Sequence, residues 1–435
     1  MKMKTALTIA GSDSLSGAGI QEDLKVFSAL GVYGTCVVTA VTAQNTKGVW
    51  KIEILPETII SKQVDSVLGD VQVDAVKTGM LCTGKIIELV YEKLKKYKLV
   101  NLVVDPVMVS TSGTELLNLN PGSLKILKKL IGISKITTPN VYEAEILSGI
   151  KIKNPGDMKS AAKKIGSCII TGGDFDDEIY DLLFHDDEFY VFKNKKIDAR
   201  IHGTGCTFSA AITANLAYGN DVLTSVKNAE KFTPELIEHN FSIGQGDMKV
   251  LNPFINSEKI LIIENLKSAV KKLISDENSY KLIPQVGINI VMALFNAKKI
   301  SDVAGISGRI VRDRKKLVPV GSVKFGGSSH IGRVVLTAMK YNSEARAAMN
   351  IKFSGDILKI CKKLNLKISG FERDQQPEDT KTMEWGTRTA IENLGYVPDV
   401  IYDKGGFGKE AMIRIIGKDA GGVVDAACKI GRLLE

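Results

Sequence analysis

The chain has 435 residues, of which 44% are apolar and 25% charged, with a formal net charge of +9. That much apolar material fills two or three cores of ordinary size and excludes a wholly disordered chain. Six scattered cysteines without a CxxC pair, and only four histidines, exclude a disulfide framework and a Cys/His zinc site and point to a reducing, cytoplasmic compartment.

In chain order, Met1-Lys2-Met3-Lys4 precedes an apolar run over 5–10 that breaks at Gly11-Ser12-Asp13. The run is too short for a secretory core or a membrane span and reads as a first buried strand. Further strands are predicted over 35–42, 74–77, 102–104, 135–138 and 168–171, and helices over 20–30, 56–68, 85–95, 122–131, 141–147 and 157–165. This alternation predicts an α/β fold whose mostly parallel sheet is covered on both faces. Ligands then sit off the carboxyl ends of the strands, which here carry Gly11-Ser12-Asp13, Gln44-Asn45, Thr78-Gly79-Met80, Asp105-Pro106-Val107-Met108, Asn140 to Glu143, and Thr171-Gly172-Gly173.

Several of these segments have a chemical reading beside a plain one. Asn140 and Glu143, three apart at a helix start, share a face and could hold the waters of a hydrated magnesium ion with Asp105; they fit a capping box equally well. Gln44 offers the donor and acceptor that a heterocycle edge needs, or is a polar loop residue. His202-Gly203-Thr204-Gly205-Cys206-Thr207 runs into an Ala-rich apolar stretch, so a tight turn opens a buried helix whose free N–H groups suit phosphate. At that position the dipole favours a Cys206 thiolate, able to act as a base. The plain alternative is a glycine turn with Thr204 as N-cap and a small buried cysteine.

Charge marks a domain boundary. Residues 1–260 hold 29 Lys and Arg against 30 Asp and Glu, whereas 261–435 hold 29 against 19; Arg200 is the only arginine in the first part and nine follow. We divide the chain into domains at 1–255 and 284–435, with a junction over 256–283. The second domain carries Gly305 to Ile310 with Arg309, and Lys324 to Arg333, in which Gly326-Gly327-Ser328-Ser329-His330 opens an apolar helix as another anion cradle. Phe371-Glu372-Arg373 and Asp403 to Glu410, with Lys409, are further notable pieces. No run of like charge or aromatic interleaving accompanies the arginines, so small anions are favoured over nucleic acid. His330 by itself could equally be a core or cap histidine.

Taken together, the first-domain segments resemble the hydroxymethylpyrimidine/phosphomethylpyrimidine kinases of the ribokinase-like superfamily over about residues 4–250. The resemblance is carried by Ala10 to Ser14, Gly17 to Gln21 with Asp23 to Lys25, Thr39 to Thr46, Lys77 to Leu81, Asp105 to Met108, Thr138-Pro139-Asn140 with Glu143 to Glu145, and His202 to Thr207. It implies an α/β sandwich of nine or so strands that uses ATP and magnesium. It also implies that Gln44 contacts the pyrimidine, that Gly11, Asp23, Met80 and Val107 line its pocket, and that Asn140 and Glu143 serve the metal. Gly203, Thr204, Gly205 and Cys206 would form the anion hole, with Thr171 and Gly172 beside the nucleotide. Where the family usually has Lys-Gly-Gly this chain has Thr171-Gly172-Gly173, so a cation near the ATP phosphates is missing unless Lys195 or Lys196 replaces it.

The second domain, over about residues 284–434, resembles the archaeal-type thiamine-phosphate synthase domain found fused to such kinases. The family's essential pair falls on Arg309 and His330, with Ser328, Ser329, Arg333 and Lys409 as further phosphate ligands. The resemblance implies consecutive steps on one chain: two phosphorylations to hydroxymethylpyrimidine pyrophosphate, then condensation with hydroxyethylthiazole phosphate to thiamine phosphate. Two alternatives stay open: a thiamine-phosphate-sensing second domain, and a kinase acting on pyridoxal. We expect small-molecule substrates, no membrane or nucleic-acid partner, and a homo-oligomer.

Overall fold

The computed structural model describes residues 2–110, 113–118, 120–175, 178–195 and 200–434. The chain divides into two compact units, Met1–Phe254 and Ile255–Glu435. The segment read as a junction over 256–283 belongs to the second unit. Its helix Ile255–Ser275 buries Ile262, Leu266, Ala269 and Leu273 and packs against the helix Ala420–Leu433. Its polar look in sequence reflects the other, solvated face of an amphipathic helix.

The first unit is built on a nine-stranded sheet in the order Gly48–Ile54, Tyr33–Asn45, Thr5–Asp13, Ala75–Thr78, Leu102–Val104, Ile136–Thr137, Cys168–Phe175, Glu178–His185, Glu188–Lys195. The six strands from Tyr33–Asn45 to Cys168–Phe175 are mutually parallel, and antiparallel strands close both edges. Chain order runs outward from Thr5–Asp13 in one direction and then resumes on its other side, so a topological switch point lies between Thr5–Asp13 and Ala75–Thr78. The apolar runs form central strands because both faces are covered: Leu7, Ile9, Val37 and Val76 are fully buried. The helix Gly84–Lys96 buries Ile86, Ile87, Val90 and Leu94 and starts where the Thr83 side chain accepts from Ile86 N. Each such side chain contributes roughly 1.5–3 kcal/mol through burial. The hairpin strands Glu178–His185 and Glu188–Lys195 are absent from the sequence reading because their apolar and polar residues do not alternate cleanly; Glu188–Lys195 forms the sheet edge and Glu178–His185, with Leu182 and Leu183 buried, lies inside it.

The second unit has a seven-stranded sheet in the order Val323–Phe325, Val303–Ile306, Ile290–Ala293, Ala347–Lys352, Met412–Gly417, Val400–Asp403, Ile368–Gly370, antiparallel except for the last pair. The helices Ser329–Met339 and Thr382–Glu392 pack together beside this sheet, as do Ile255–Ser275 and Ala420–Leu433. Among the described residues no helix is long and apolar enough to cross a membrane.

Candidate active sites

In the first unit the polar strand ends converge on a cavity of about 490 Å³ at the switch point. Gly11, Gln44, Met80, Asp105, Val107, Asn140, Glu143, Thr171, Gly203, Thr204, Gly205 and Cys206 all line it. Gly11 leaves room for Met80, whose Cε stands 2.2 Å from where a Cβ at residue 11 would lie. Gly203 caps the helix Thr204–Ala217 with φ at +83°, and a Cβ there would stand 1.8 Å from Gly17 O, so the position requires glycine. Thr204 is therefore the first helical residue rather than the N-cap. The first intrahelical bond is Thr207 N to Gly203 O at 2.9 Å, which leaves the N–H groups before it for a ligand.

Three expectations change, and one of two open readings is met. Asp23 does not line the cavity: it is fully buried, with Oδ1 2.5 Å from Lys77 Nζ and Oδ2 accepting from Thr8 at 2.6 Å, because an interior carboxylate needs a cation. Gly172 is also outside the lining, its N–H donating to Asp181 Oδ1 at 2.7 Å. Cys206 is not a thiolate in this site. Burial pushes its thiol up to about 12; Lys77 pulls the other way, but Asp23 and Asp105 add to the rise. Desolvation thus outweighs the helix dipole. Asn140 and Glu143 form the complete capping box, Glu143 N donating to Asn140 Oδ1 at 2.9 Å and Asn140 N to Glu143 Oε2 at 3.0 Å. Among the described residues no group of three or more His, Cys, Asp or Glu side chains could hold a metal by itself.

The sequence reading gave no role to two polar side chains. Lys77 is fully buried between Asp23 and Asp105, its Nζ 3.8 Å from Asp105 Oδ2; burial opposes its charge, yet the anionic neighbours raise its pKa. A lysine inside the apolar strand Ala75–Thr78 was the available signal. His202 lies against Gln44, with Nε2 2.8 Å from the Gln44 amide and 2.9 Å from Asp13 Oδ2, so Asp13 orients the pair at the cavity wall. Lys196 and the side chain of Lys195 lie outside the described residues.

In the second unit a cavity of about 670 Å³ gathers Arg309, Ser328, Ser329, His330, Arg333 and Lys409, every phosphate-site residue expected from sequence. Ser328 is the N-cap of the helix Ser329–Met339 and its side chain makes no capping bond. Arg309 opens the hairpin strand Arg309–Asp313, and Asn289 pins the turn before it, donating to Ile306 O at 3.0 Å and Gly308 O at 2.9 Å. Burial, then Arg333, Arg309, Arg414 and Arg373, hold the His330 pKa below 6.5, so its imidazole is neutral at pH 7.

A parallel sheet with a glycine-led anion hole at its switch point defines the first unit as a ribokinase-like small-molecule kinase; an arginine-lined cavity on an antiparallel sheet follows it. The chain belongs to the phosphomethylpyrimidine kinase family, whose model matches residues 13–251, and residues 265–429 match thiamine-phosphate synthase ThiN. It is 37% identical over 423 residues to the bifunctional thiamine biosynthesis protein ThiDN of Methanocaldococcus jannaschii, covering 95% of each chain. It is 44% identical over 255 residues to the hydroxymethylpyrimidine/phosphomethylpyrimidine kinase of Bacillus subtilis, covering 57% of this chain and 93% of that one. Among solved structures, the ADP complex of Bacillus subtilis pyridoxal kinase matches with a TM-score of 0.54 at 37% identity, over 58% of this chain and 98% of that chain. The two units are thus a hydroxymethylpyrimidine (phosphate) kinase domain and a thiamine-phosphate synthase domain of one thiamine biosynthesis enzyme.

Proposed function

We propose that the first cavity transfers phosphate from ATP twice, to hydroxymethylpyrimidine and then to its monophosphate, and that the second condenses the resulting pyrophosphate with hydroxyethylthiazole phosphate. The observation that carries this is a glycine-led helix start facing a cavity in each matched unit, with arginines among the described lining residues of the second cavity and not of the first. The six free cysteines suit the cytoplasm.

In the kinase cavity Gln44 and His202 hold the heterocycle, and the helix start at Gly205 and Cys206 receives the phosphoryl group. The substrate oxygen bonds to the γ-phosphorus as the bond to the ADP oxygen breaks, and Cys206 stands where the alcohol's proton leaves. Lys77 supplies the buried positive charge beneath the hole. A magnesium ion suits the donors present: burial and then Asp105 push Glu143 up to about 8, and Lys77, the cation beside Asp105, is paired more closely with Asp23, so the two neighbouring carboxylates are short of positive charge. Glu143 and Asp105 would hold it through its waters, and when bound it offsets the charge of the phosphate oxygens. In the synthase cavity, breaking the carbon–oxygen bond leaves charge on pyrophosphate, which Arg309 and the helix start at Ser329 stabilise as the thiazole nitrogen bonds to the pyrimidine methylene carbon.

Incubating the full chain with ATP, magnesium, hydroxymethylpyrimidine and hydroxyethylthiazole phosphate is expected to yield thiamine phosphate; its absence sinks the combined reading. A kinase that accepts pyridoxal but leaves the pyrimidine monophosphate untouched would replace the first half. Thr171 lines the kinase cavity, and Thr171→Lys is expected to lower the KM for ATP by about tenfold at most, as a partly exposed charge contact allows. An unchanged KM would mean that another cation already serves the phosphates. Pyrophosphate binding in the second cavity should take up protons near pH 6.5, because a bound polyanion offsets the guanidiniums that depress the His330 pKa. Calorimetry in buffers of different ionisation enthalpy measures this, and an uptake unchanged in His330→Ala refutes the assignment.

A further inference from the structure

The synthase cavity holds a second cationic cluster apart from the helix start. Arg373, beyond the edge strand Ile368–Gly370, donates through Nε and Nη2 to the two oxygens of Asp403 at 2.6 and 3.2 Å. Asp403 is fully buried; its Oδ2 also accepts from Arg414 Nη2 at 2.8 Å, and its Oδ1 from the Gly405 N–H at 2.9 Å. One carboxylate therefore serves two guanidiniums and fixes the start of the turn that leads to Lys409. The cluster keeps a net positive charge in the protein interior. Arg414 is 2% exposed and packs on the Phe371 ring, 5.6 Å from its centroid, while its Nε and Nη1 have no hydrogen-bond partner. Leaving buried donors unmet is costly, so the cluster has positive charge and donor capacity to spare for an anion.

We propose that Arg373, oriented by Asp403 with Arg414 behind it, is a second anion subsite of this cavity and takes the phosphate monoester of the thiazole substrate. The pyrophosphate is left to Arg309 and the helix start at Ser328 to His330. This rests on the synthase reading above, which brings two phosphorylated substrates into one cavity. Topology keeps the clusters apart: the helix Ser329–Met339 begins after Val323–Phe325 at one edge of the sheet, whereas Arg373 follows Ile368–Gly370 at the other. Both arginines nevertheless act on His330 through their charge, as two subsites of one cavity should. A guanidinium held along its Nε and Nη2 edge by a carboxylate offers its remaining edge as a rigid donor, which suits a phosphate better than a mobile ammonium does.

The test varies each substrate in turn with the full chain. Arg373→Gln is expected to raise the KM for thiazole phosphate by about ten- to a hundredfold, the size of one charged hydrogen bond, with the KM for the pyrimidine pyrophosphate nearly unchanged. Arg373→Lys should recover little of the loss. Asp403→Asn, a change in a positioning residue, should raise the same KM less and leave kcat largely intact; a thermal melt checks its fold. A rise confined to the pyrophosphate substrate, or no change in either KM, overturns the assignment. If the wild-type chain forms no thiamine phosphate, calorimetry with inorganic phosphate and pyrophosphate still decides the subsite. Phosphate binding lost in Arg373→Gln with pyrophosphate binding kept supports it, and equal phosphate binding in both chains overturns it.

Discussion

Replacing Arg309 or His330 by alanine is expected to cut thiamine phosphate formation about a thousandfold while both phosphorylations proceed normally. An arginine donor to a leaving phosphate accounts for several kilocalories of barrier, which corresponds to a loss of about that size. The pyrimidine pyrophosphate should then accumulate, because the kinase cavity lies wholly within the unit Met1–Phe254. Arg309→Lys should rescue poorly, since it keeps the charge and loses the planar fork. Product analysis by chromatography measures all three variants. The sensor alternative makes the opposite prediction: tight thiamine phosphate binding by the wild type, with no turnover of the two substrates in the presence of magnesium. That outcome would leave Arg309 and His330 as ligand contacts only.

Cys206→Ala is expected to lower kinase turnover about a hundredfold, the usual contribution of a general base, with little change in ATP affinity. The raised thiol pKa adds a pH signature. With its pKa pushed up to about 12, Cys206 is protonated at neutral pH, so a rate that depends on the thiolate climbs about tenfold per pH unit well above neutrality. The alanine variant should lack that slope. Turnover at the wild-type level for both phosphorylations would remove Cys206 as a base and leave a hole made of backbone N–H groups. Slow alkylation of Cys206 at pH 7 is the companion expectation, because the thiolate is the nucleophile.

Much of the fold and of both sites was legible because it depends on local signals. Apolar runs such as 5–10 and 102–104, set between helix-period segments, can be buried only in a covered parallel sheet, and the sheet has that form. Its strand ends carry the polar residues, so Gln44, Asp105, Asn140 and Thr171 could be placed around a common cavity before any coordinates. Glycine turns before apolar helices announced both cavity-facing helix starts, because the dihedral demand and the free N–H groups are written in a few adjacent residues. The capping box of Asn140 and Glu143 was legible for the same reason.

What sequence could not decide depends on partners far apart along the chain. Whether Asp23 lines a pocket or lies beneath it turns on Lys77, which only the sheet brings to it. The protonation of Cys206 is a balance between a local helix dipole and non-local burial, and burial wins because desolvation of a charge inside the protein exceeds what one helix start returns. The His202 contact with Gln44 and Asp13, and the clamp of Asp403 on Arg373 and Arg414, join residues from separate elements. The residue types and turns were thus determined by the sequence alone, whereas charge state, pairing and the second anion subsite were decided by tertiary structure, since electrostatic energies depend on distance and dielectric and neither is encoded in neighbouring residues.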